Sequence, residues 1–311
     1  MNPRIILVGA GPFVLPIFHK LFNSSIRIKA LVTQADAARD RGKKIKSQEV
    51  ADAAESCGIP VLKPSNINTI ADELKEVNAD LLLTASYGQF IKRTVREACP
   101  FKSFNLHPSL LPLYRGATPV NATLKEGRHH TGVTLYQMES KMDAGPIAAQ
   151  VTTDIFPNET AGELLLRLAD IAGELAIATL PLIVNGTITL REQQHENASF
   201  CHKLSKQDAL IDWTLTATDI HNRLRAHHPW PGSYCHYQGK RLTLYDSEIV
   251  EVSKKLPQSA GTLLDVSKQG VTVNCGEGSI LFKSFQLPGK KKLDAATFLN
   301  GNKLQAGECF Q

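Results

Sequence analysis

Ile5-Ile6-Leu7-Val8-Gly9, then Val14 to Phe22, then Ile26-Arg27-Ile28-Lys29-Ala30-Leu31-Val32 make one repeating unit: a short apolar run, apolar residues at helical spacing, and a second apolar run. The pattern continues with a helix over Ser47 to Cys57, a strand at Ile59-Pro60-Val61-Leu62, a helix over Ile70 to Val77 and a strand at Leu81-Leu82-Leu83-Thr84. Strands that alternate with helices are joined by crossovers, which make the sheet parallel and cover both its faces. The expected fold is therefore α/β, with a doubly wound, mostly parallel sheet, and ligands are expected at the carboxyl ends of its strands. Gly9-Ala10-Gly11, at the first such end, invites a dinucleotide-binding reading. Val14 stands where a third glycine belongs, however, and Leu31-Val32-Thr33 ends the second strand without an acidic residue.

Working outward, Ala161 to Val184 reads as a long helix with Leu164, Leu165, Leu168, Ile171, Leu175 and Leu182 along its apolar stripe, ended by Asn185-Gly186. Arg191 to Leu204 is polar and lacks a strong period. Beyond Ile211, one helix (Ala217 to His227) precedes short strand patterns at Gly232 to Tyr237, Leu242 to Tyr245, Gly261 to Val266, Val271 to Cys275 and Ser279 to Phe285, separated by turn signals. Closely spaced short strands imply a small β-barrel, OB-like in type. A chain of 311 residues exceeds what one core usually holds. The expected division is a catalytic α/β domain at 1–190, a linker at 191–205 and a β-barrel domain at 206–311.

Hydrophobic residues at 42% and charged residues at 21% exclude the disordered class. No apolar run reaches the roughly 18 residues of a membrane helix, and Ile5 to Val8 is too short for a signal-peptide core of about 7–15 residues. Six scattered cysteines without a close pair read as reduced thiols, so a cytoplasmic protein without a metal site is expected. Net charge is +5, and residues 203–311 carry most of the excess, with 14 Lys/Arg against 10 Asp/Glu. A basic last third suits a polyanion such as RNA; a solvated basic surface is the plainer alternative.

Chemistry concentrates in residues 103–147. Phe104-Asn105-Leu106-His107 alternates as a strand does, which turns Asn105 and His107 to one face. A side-chain amide beside an imidazole supplies donors for the negative charge that develops on a carbonyl oxygen during acyl transfer. Asp143, in a turn bounded by Gly145-Pro146, is placed to orient that imidazole or accept a proton. Taken singly, each has an ordinary role as a hydrogen-bonded histidine or a turn former. Ser109 lacks the elbow sequence of a serine nucleophile.

Together, Asn105-Leu106-His107, Ser109-Leu110-Leu111-Pro112, Arg115-Gly116 and Asp143-Ala144-Gly145 resemble, in order and spacing, the formyltransferases that use 10-formyltetrahydrofolate. The resemblance implies that Asn105, His107 and Asp143 are catalytic. It also implies that Ser109, Leu110, Leu111 and Pro112, with Tyr87, Gly88 and Ile91, bind the folate, which is the formyl donor. The extension past the catalytic region and the basic stretch Arg41-Gly42-Lys43-Lys44 are similar to the members that formylate initiator methionyl-tRNA. So are the segments Lys203 to Trp213, Pro229-Trp230-Pro231 and Leu287 to Leu299. Arg41, Lys43, Lys44, Lys290, Lys291 and Lys292 are then expected to meet tRNA, and the protein to act as a monomer. Sugar-nucleotide amine N-formyltransferases share part of this pattern and give the alternative acceptor; a non-catalytic RNA-binding protein on the same scaffold is the second alternative. Two departures, Gly9-Ala10-Gly11 for the usual Gly-Thr-Pro and Gln34-Ala35-Asp36 for Gln-Pro-Asp, bear on loop geometry and not on the three catalytic positions.

Overall fold

The computed structural model describes residues 2–38, 45–46, 48–251 and 257–311. They form two compact units that interleave along the chain: Met1–Pro119, His130–Ile155 and Glu163–His202 make the first, and Val120–His129, Phe156–Gly162 and Lys203–Gln311 the second.

In the first unit, β1 (Arg4–Gly9), α1 (Val14–Phe22), β2 (Arg27–Val32), α2 (Glu49–Ser56), α3 (Ala71–Glu76) and α4 (Arg93–Arg96) build the alternating half, together with β5 (Val61–Leu62) and β6 (Leu81–Ala85). Two short strands, β3 (Ala37–Ala38) and β4 (Ile45–Lys46), pair antiparallel. The main sheet adds β7 (Ser103–His107), β9 (His130–Gln137) and β10 (Ile147–Asp154), in the order β10-β9-β7-β6-β1-β2-β5. Pairings from β7 to β5 are parallel, whereas β9 pairs antiparallel with both β7 and β10. Beside this sheet, β8 (Arg115–Gly116) pairs with β11 (Phe200–Cys201), from the stretch expected to be only a linker.

Helical spacing explains how the sheet is covered. Val14, Ile17, Phe18 and Leu21 give α1 one buried face. Ile6, Val8, Val32 and Leu82 form a core with Ile67, Leu74, Val95 and Cys99. The 24-residue α6 (Ala161–Val184) passes α1 closely at Gly173: a Cβ there would stand 2.9 Å from the Cβ of Lys20, whose ammonium pairs with Glu174 at 2.8 Å.

The second unit holds α5 (Pro119–Lys125) from Val120 on, α7 (Ala217–Ala226) and α8 (Ala295–Gly301), with strands β12 (Tyr234–Tyr237), β13 (Lys240–Glu251), β14 (Leu263–Ser267), β15 (Gly270–Asn274), β16 (Ser279–Gln286) and β17 (Leu293–Asp294). The sheet order is β12-β13-β16-β15-β14, and β17 pairs with β16. The Thr216 hydroxyl caps α7 by accepting from the Asp219 N–H, and Asp294 caps α8 through the Thr297 N–H. Arg225 on α7 is buried; it donates to the carbonyl oxygens of Phe156 and Glu159, and Asn121 on α5 donates to that of Ala226.

Residues 307–311 join the two outer strands of this sheet. Leu263 N–H donates to the Glu308 carbonyl and Phe310 N–H to that of Gly261, while Gln311 and His236 exchange two backbone bonds. The sheet is thereby closed around a core of Trp213, Leu244, Val273, Phe282 and Phe285, and Phe310 packs between Trp213 and Tyr237. Phe310→Ala is expected to cost about 3–5 kcal/mol, as large-to-small changes at buried aromatics do. Chemical denaturation followed by tryptophan fluorescence checks this, and an unchanged midpoint contradicts it.

Candidate active site

Strand register makes the first part of the site. Thr84 on β6, Asn105 on β7 and Tyr136 on β9 are direct neighbours across the sheet, and His107 is the neighbour of Thr134. Neighbours in register point to the same face, so Thr84, Asn105, His107 and Tyr136 all do. The Thr84 hydroxyl donates to Asn105 Oδ1 at 2.6 Å, and Asn105 Nδ2 donates to the Tyr136 hydroxyl at 3.3 Å. Both ends of the amide are thereby oriented.

The turn after β9 supplies Asp143. Its φ of +51° lies in the left-handed region, uncommon for a residue with a Cβ. Gly145 passes so close to β9 that a Cβ would stand 1.9 Å from the Gln137 carbonyl oxygen. Asp143 Oδ1 accepts from the Tyr136 hydroxyl and Oδ2 from the Gly116 N–H, each at 2.7 Å. Tyr136 thus touches both Asn105 and Asp143. Burial, with the Asp143 charge adding to it, pushes the Tyr136 phenol well above its usual range, so it stays a protonated donor.

His107 is buried, and its Nε2 lies 2.9 Å from the Tyr114 carbonyl. A carbonyl only accepts, so Nε2 carries the hydrogen and Nδ1 is left toward Asp143 Oδ2, 3.9 Å away. That separation exceeds a direct hydrogen bond. The Tyr114 backbone, and not the Asp143 carboxylate, therefore holds the ring.

The Ser109–Pro112 loop is tied to the same strands. Ser109 is fully buried, and its hydroxyl donates to the Leu113 carbonyl. The Thr134 hydroxyl donates to the Ser109 carbonyl and accepts from the Leu111 N–H, while Gln150 Nε2 donates to the Leu111 carbonyl. Leu111 packs with Tyr136 and Ile147, and Leu110 lies over Gly132. The Ser109 hydroxyl is thus engaged within the loop. After β6, Tyr87 and Ile91 turn into the core with Ile6, Val8 and Leu82, and Gly88 alone of the three expected there is exposed. Gln34 Nε2 fixes this loop by donating to the Tyr87 carbonyl at 2.6 Å.

Lys290, Lys291 and Lys292 are exposed in the second unit. Lys292 pairs with Asp246 at 2.6 Å and lies 5.0 Å from the centre of the Tyr245 ring. Arg41, Lys43 and Lys44 lie outside the described residues. Among the described residues no group of three or more His, Cys, Asp or Glu side chains is gathered to hold a metal ion, and no helix is long and apolar enough to cross a membrane. All six cysteines are free thiols.

Residues 3–180 match the family model for formyl transferase, and residues 203–303 that for the formyl transferase carboxyl-terminal domain. The chain belongs to the formyl transferase family. It is 36% identical to the methionyl-tRNA formyltransferase of Thermotoga neapolitana, over 98% of this chain and 97% of that one. It is 34% identical to that of Geobacter sulfurreducens, over 98% and 95%. Among solved structures, an N-formyltransferase from Helicobacter canadensis, in complex with folinic acid and dTDP-3-aminofucose, shares the fold at a TM-score of 0.68 and 17% identity, over 91% of this chain and 99% of that one. HypX from Aquifex aeolicus in complex with tetrahydrofolic acid does so at 0.66 and 16%, over 99% of this chain; the chain spans about half (51%) of HypX.

In this formyltransferase Tyr136, Thr84 and Gln193 join the site without having been expected there from the sequence. Tyr136 had a usable signal, because Thr134 and Tyr136 alternate with Val133 and Leu135 and so give an apolar strand one polar face. Gln193 had none; its partners Arg115 and Asp143 lie 78 and 50 residues away. Tyr136→Phe is expected to lower kcat about tenfold while KM for both substrates stays within about twofold, the loss of one donor that orients two reacting groups. The phenol does not titrate below its usual range, so the acid limb of the pH–rate profile keeps its position. Steady-state kinetics across pH checks both points.

Proposed function

We propose that this formyltransferase moves the formyl group of 10-formyltetrahydrofolate to the α-amino group of methionyl-initiator-tRNA, giving N-formylmethionyl-tRNA. The reading rests on one observation: Asn105 and Asp143 meet on Tyr136 near the carboxyl end of β7, with His107 3.9 Å from Asp143, in a chain related end to end to methionyl-tRNA formyltransferases. An acceptor amine is nucleophilic only when neutral, and an α-amine titrates at about 7.7–8.0, so losing its proton is a small barrier. Stabilising charge on the carbonyl oxygen is the larger task, worth about 2.7–4 kcal/mol per well-placed donor. Asn105 spends one N–H on Tyr136 and has its second for that oxygen.

His107 offers Nδ1, because Nε2 is committed to Tyr114. Its lone pair takes the amine proton as the amine bonds to the formyl carbon, and the resulting N–H faces the charged oxygen; the proton then passes to N10 as the bond from N10 to the formyl carbon breaks and tetrahydrofolate leaves. Asp143 is the poorer base, since both its oxygens already accept hydrogen bonds. Its Oδ2 lies 3.9 Å from the nitrogen that takes the proton. The two substrates meet in one cleft and no covalent formyl-enzyme is required.

The backbone around Leu110 to Pro112 and the exposed Gly88 border the folate site in this reading. Arg41, Lys43, Lys44, Lys290 and Lys291 meet tRNA phosphates, and the protein works as a cytoplasmic monomer. Lys292 joins them only by leaving Asp246.

A transfer assay with initiator and elongator methionyl-tRNA tests the acceptor; formylation of neither, with turnover of an amino-sugar nucleotide, would overturn it. Asn105→Ala is expected to lower kcat by about 10²–10³ with little change in folate affinity, measured by calorimetry. Arg41→Ala should raise KM for tRNA and flatten its salt dependence without weakening folate binding, since phosphate contacts give affinity and little else. Equal loss of folate binding in that variant counts against the assignment.

A further inference from the structure

We infer that Gln193 is a positioning residue for Asp143, acting from a stretch of chain that lies outside both family regions, and this rests on the role given to Asp143 above. The two matched regions end at 180 and resume at 203. Between them the chain returns to the site. Arg191 bridges to Ile147, the carbonyl and hydroxyl oxygens of Ser199 accept from the N–H groups of Arg115 and Tyr114, and Cys201 pairs with Gly116.

Gln193 is buried, and every polar atom of its side chain is used. Nε2 donates to the carbonyl oxygens of Asp143 at 3.0 Å and Gly145 at 2.7 Å. Oε1 accepts from Arg115 Nε at 3.2 Å and Nη2 at 2.7 Å. A guanidinium only donates and a carbonyl only accepts, so the amide has one allowed orientation. Arg115 itself is 2% exposed and, among the described residues, has no ion pair; its other partner is His195 Nδ1 at 2.9 Å. Burial works against its charge, and the largest opposing influence is the negative charge of Asp143.

The Asp143 turn is closed at its base by the Gln137 N–H, which donates to the Pro146 carbonyl at 2.9 Å. Nearer its tip its own backbone contributes a 3.4 Å bond from Ala144 N–H to Lys141, and Asp143 sits at positive φ. Gln193 thus clamps the main chain on both sides of Ala144 and sets where the carboxylate begins. Gly116 and Tyr136 then set where it ends. An anchored turn with a free carboxylate, or an anchored carboxylate on a loose turn, would leave the distance to His107 undefined.

Two variants separate this role from simple packing. Gln193→Met keeps the volume and removes every hydrogen bond. Gln193→Glu keeps an acceptor for Arg115 and sets an oxygen without a hydrogen against the two carbonyls. Both are expected to lower kcat by about ten- to a hundredfold, as small displacements of reacting groups do, with KM for folate and acceptor within about twofold. Each combined with Asp143→Asn should lose no more than Asp143→Asn alone, because a residue acting through Asp143 has nothing left to act on. NMR titration of the His107 ring, which needs no substrate, should change in Gln193→Met in the same sense as in Asp143→Asn. Losses that multiply in the double variants, or a His107 titration untouched in Gln193→Met, would overturn the inference. Should Gln193→Met fail to fold, the Gln193→Glu cycle decides. Failure of the unsubstituted protein to formylate methionyl-tRNA would count against the acceptor instead, and the ring titration would still decide this question.

Discussion

The site depends on a registration constraint: Thr84, Asn105 and Tyr136 must lie side by side on three adjacent strands. A slip of one residue on any of them would turn the polar side chain to the opposite face and bring an apolar one in its place. Burial guards against the slip, because Leu83, Phe104 and Leu135, the residues next in line, are all buried on the other side. The packing of the sheet and the alignment of these three side chains are thus the same geometric condition.

Around that row the charges are arranged in a dry setting. Asp143 is ringed by donors that do not change state, a backbone N–H and a phenol held neutral, while the buried Arg115 stands behind them as the compensating cation. Removed from water, such fixed dipoles need little reorganisation when charge appears on a bound group. His107 is held at Nε2 by a carbonyl that cannot take its proton, which leaves Nδ1 as the nitrogen open to a proton.

Much of the first unit was legible because its signals are local. The spacing of Val14, Ile17, Phe18 and Leu21 gave α1 its boundaries as observed, Val14–Phe22, and the run Ala161 to Val184 did the same for α6. Asn105 and His107 were readable as a pair from strand alternation alone. The ring orientation of His107 was not, since it hangs on a main-chain carbonyl, which any residue at position 114 supplies. Tyr87 and Ile91 illustrate the converse: the resemblance implied a ligand for both, while apolar neighbours from β1 and β6 draw both side chains inward. The stretch read as a linker lacked periodicity because it contributes single side chains to distant partners, one at a time.

The interleaving of the two units carries a consequence for modularity. A carboxyl-terminal piece excised at residue 203 and grafted onto another protein would include α7 but neither α5 nor residues 156–162. Arg225 would arrive without the Phe156 and Glu159 carbonyls, keeping Asn222 Oδ1 as its partner, and Asn121 would no longer cap the end of α7 at Ala226. The seam suggested by linear order is therefore not where the molecule comes apart, and a transplant that respects the fold has to carry those two inserted segments with it.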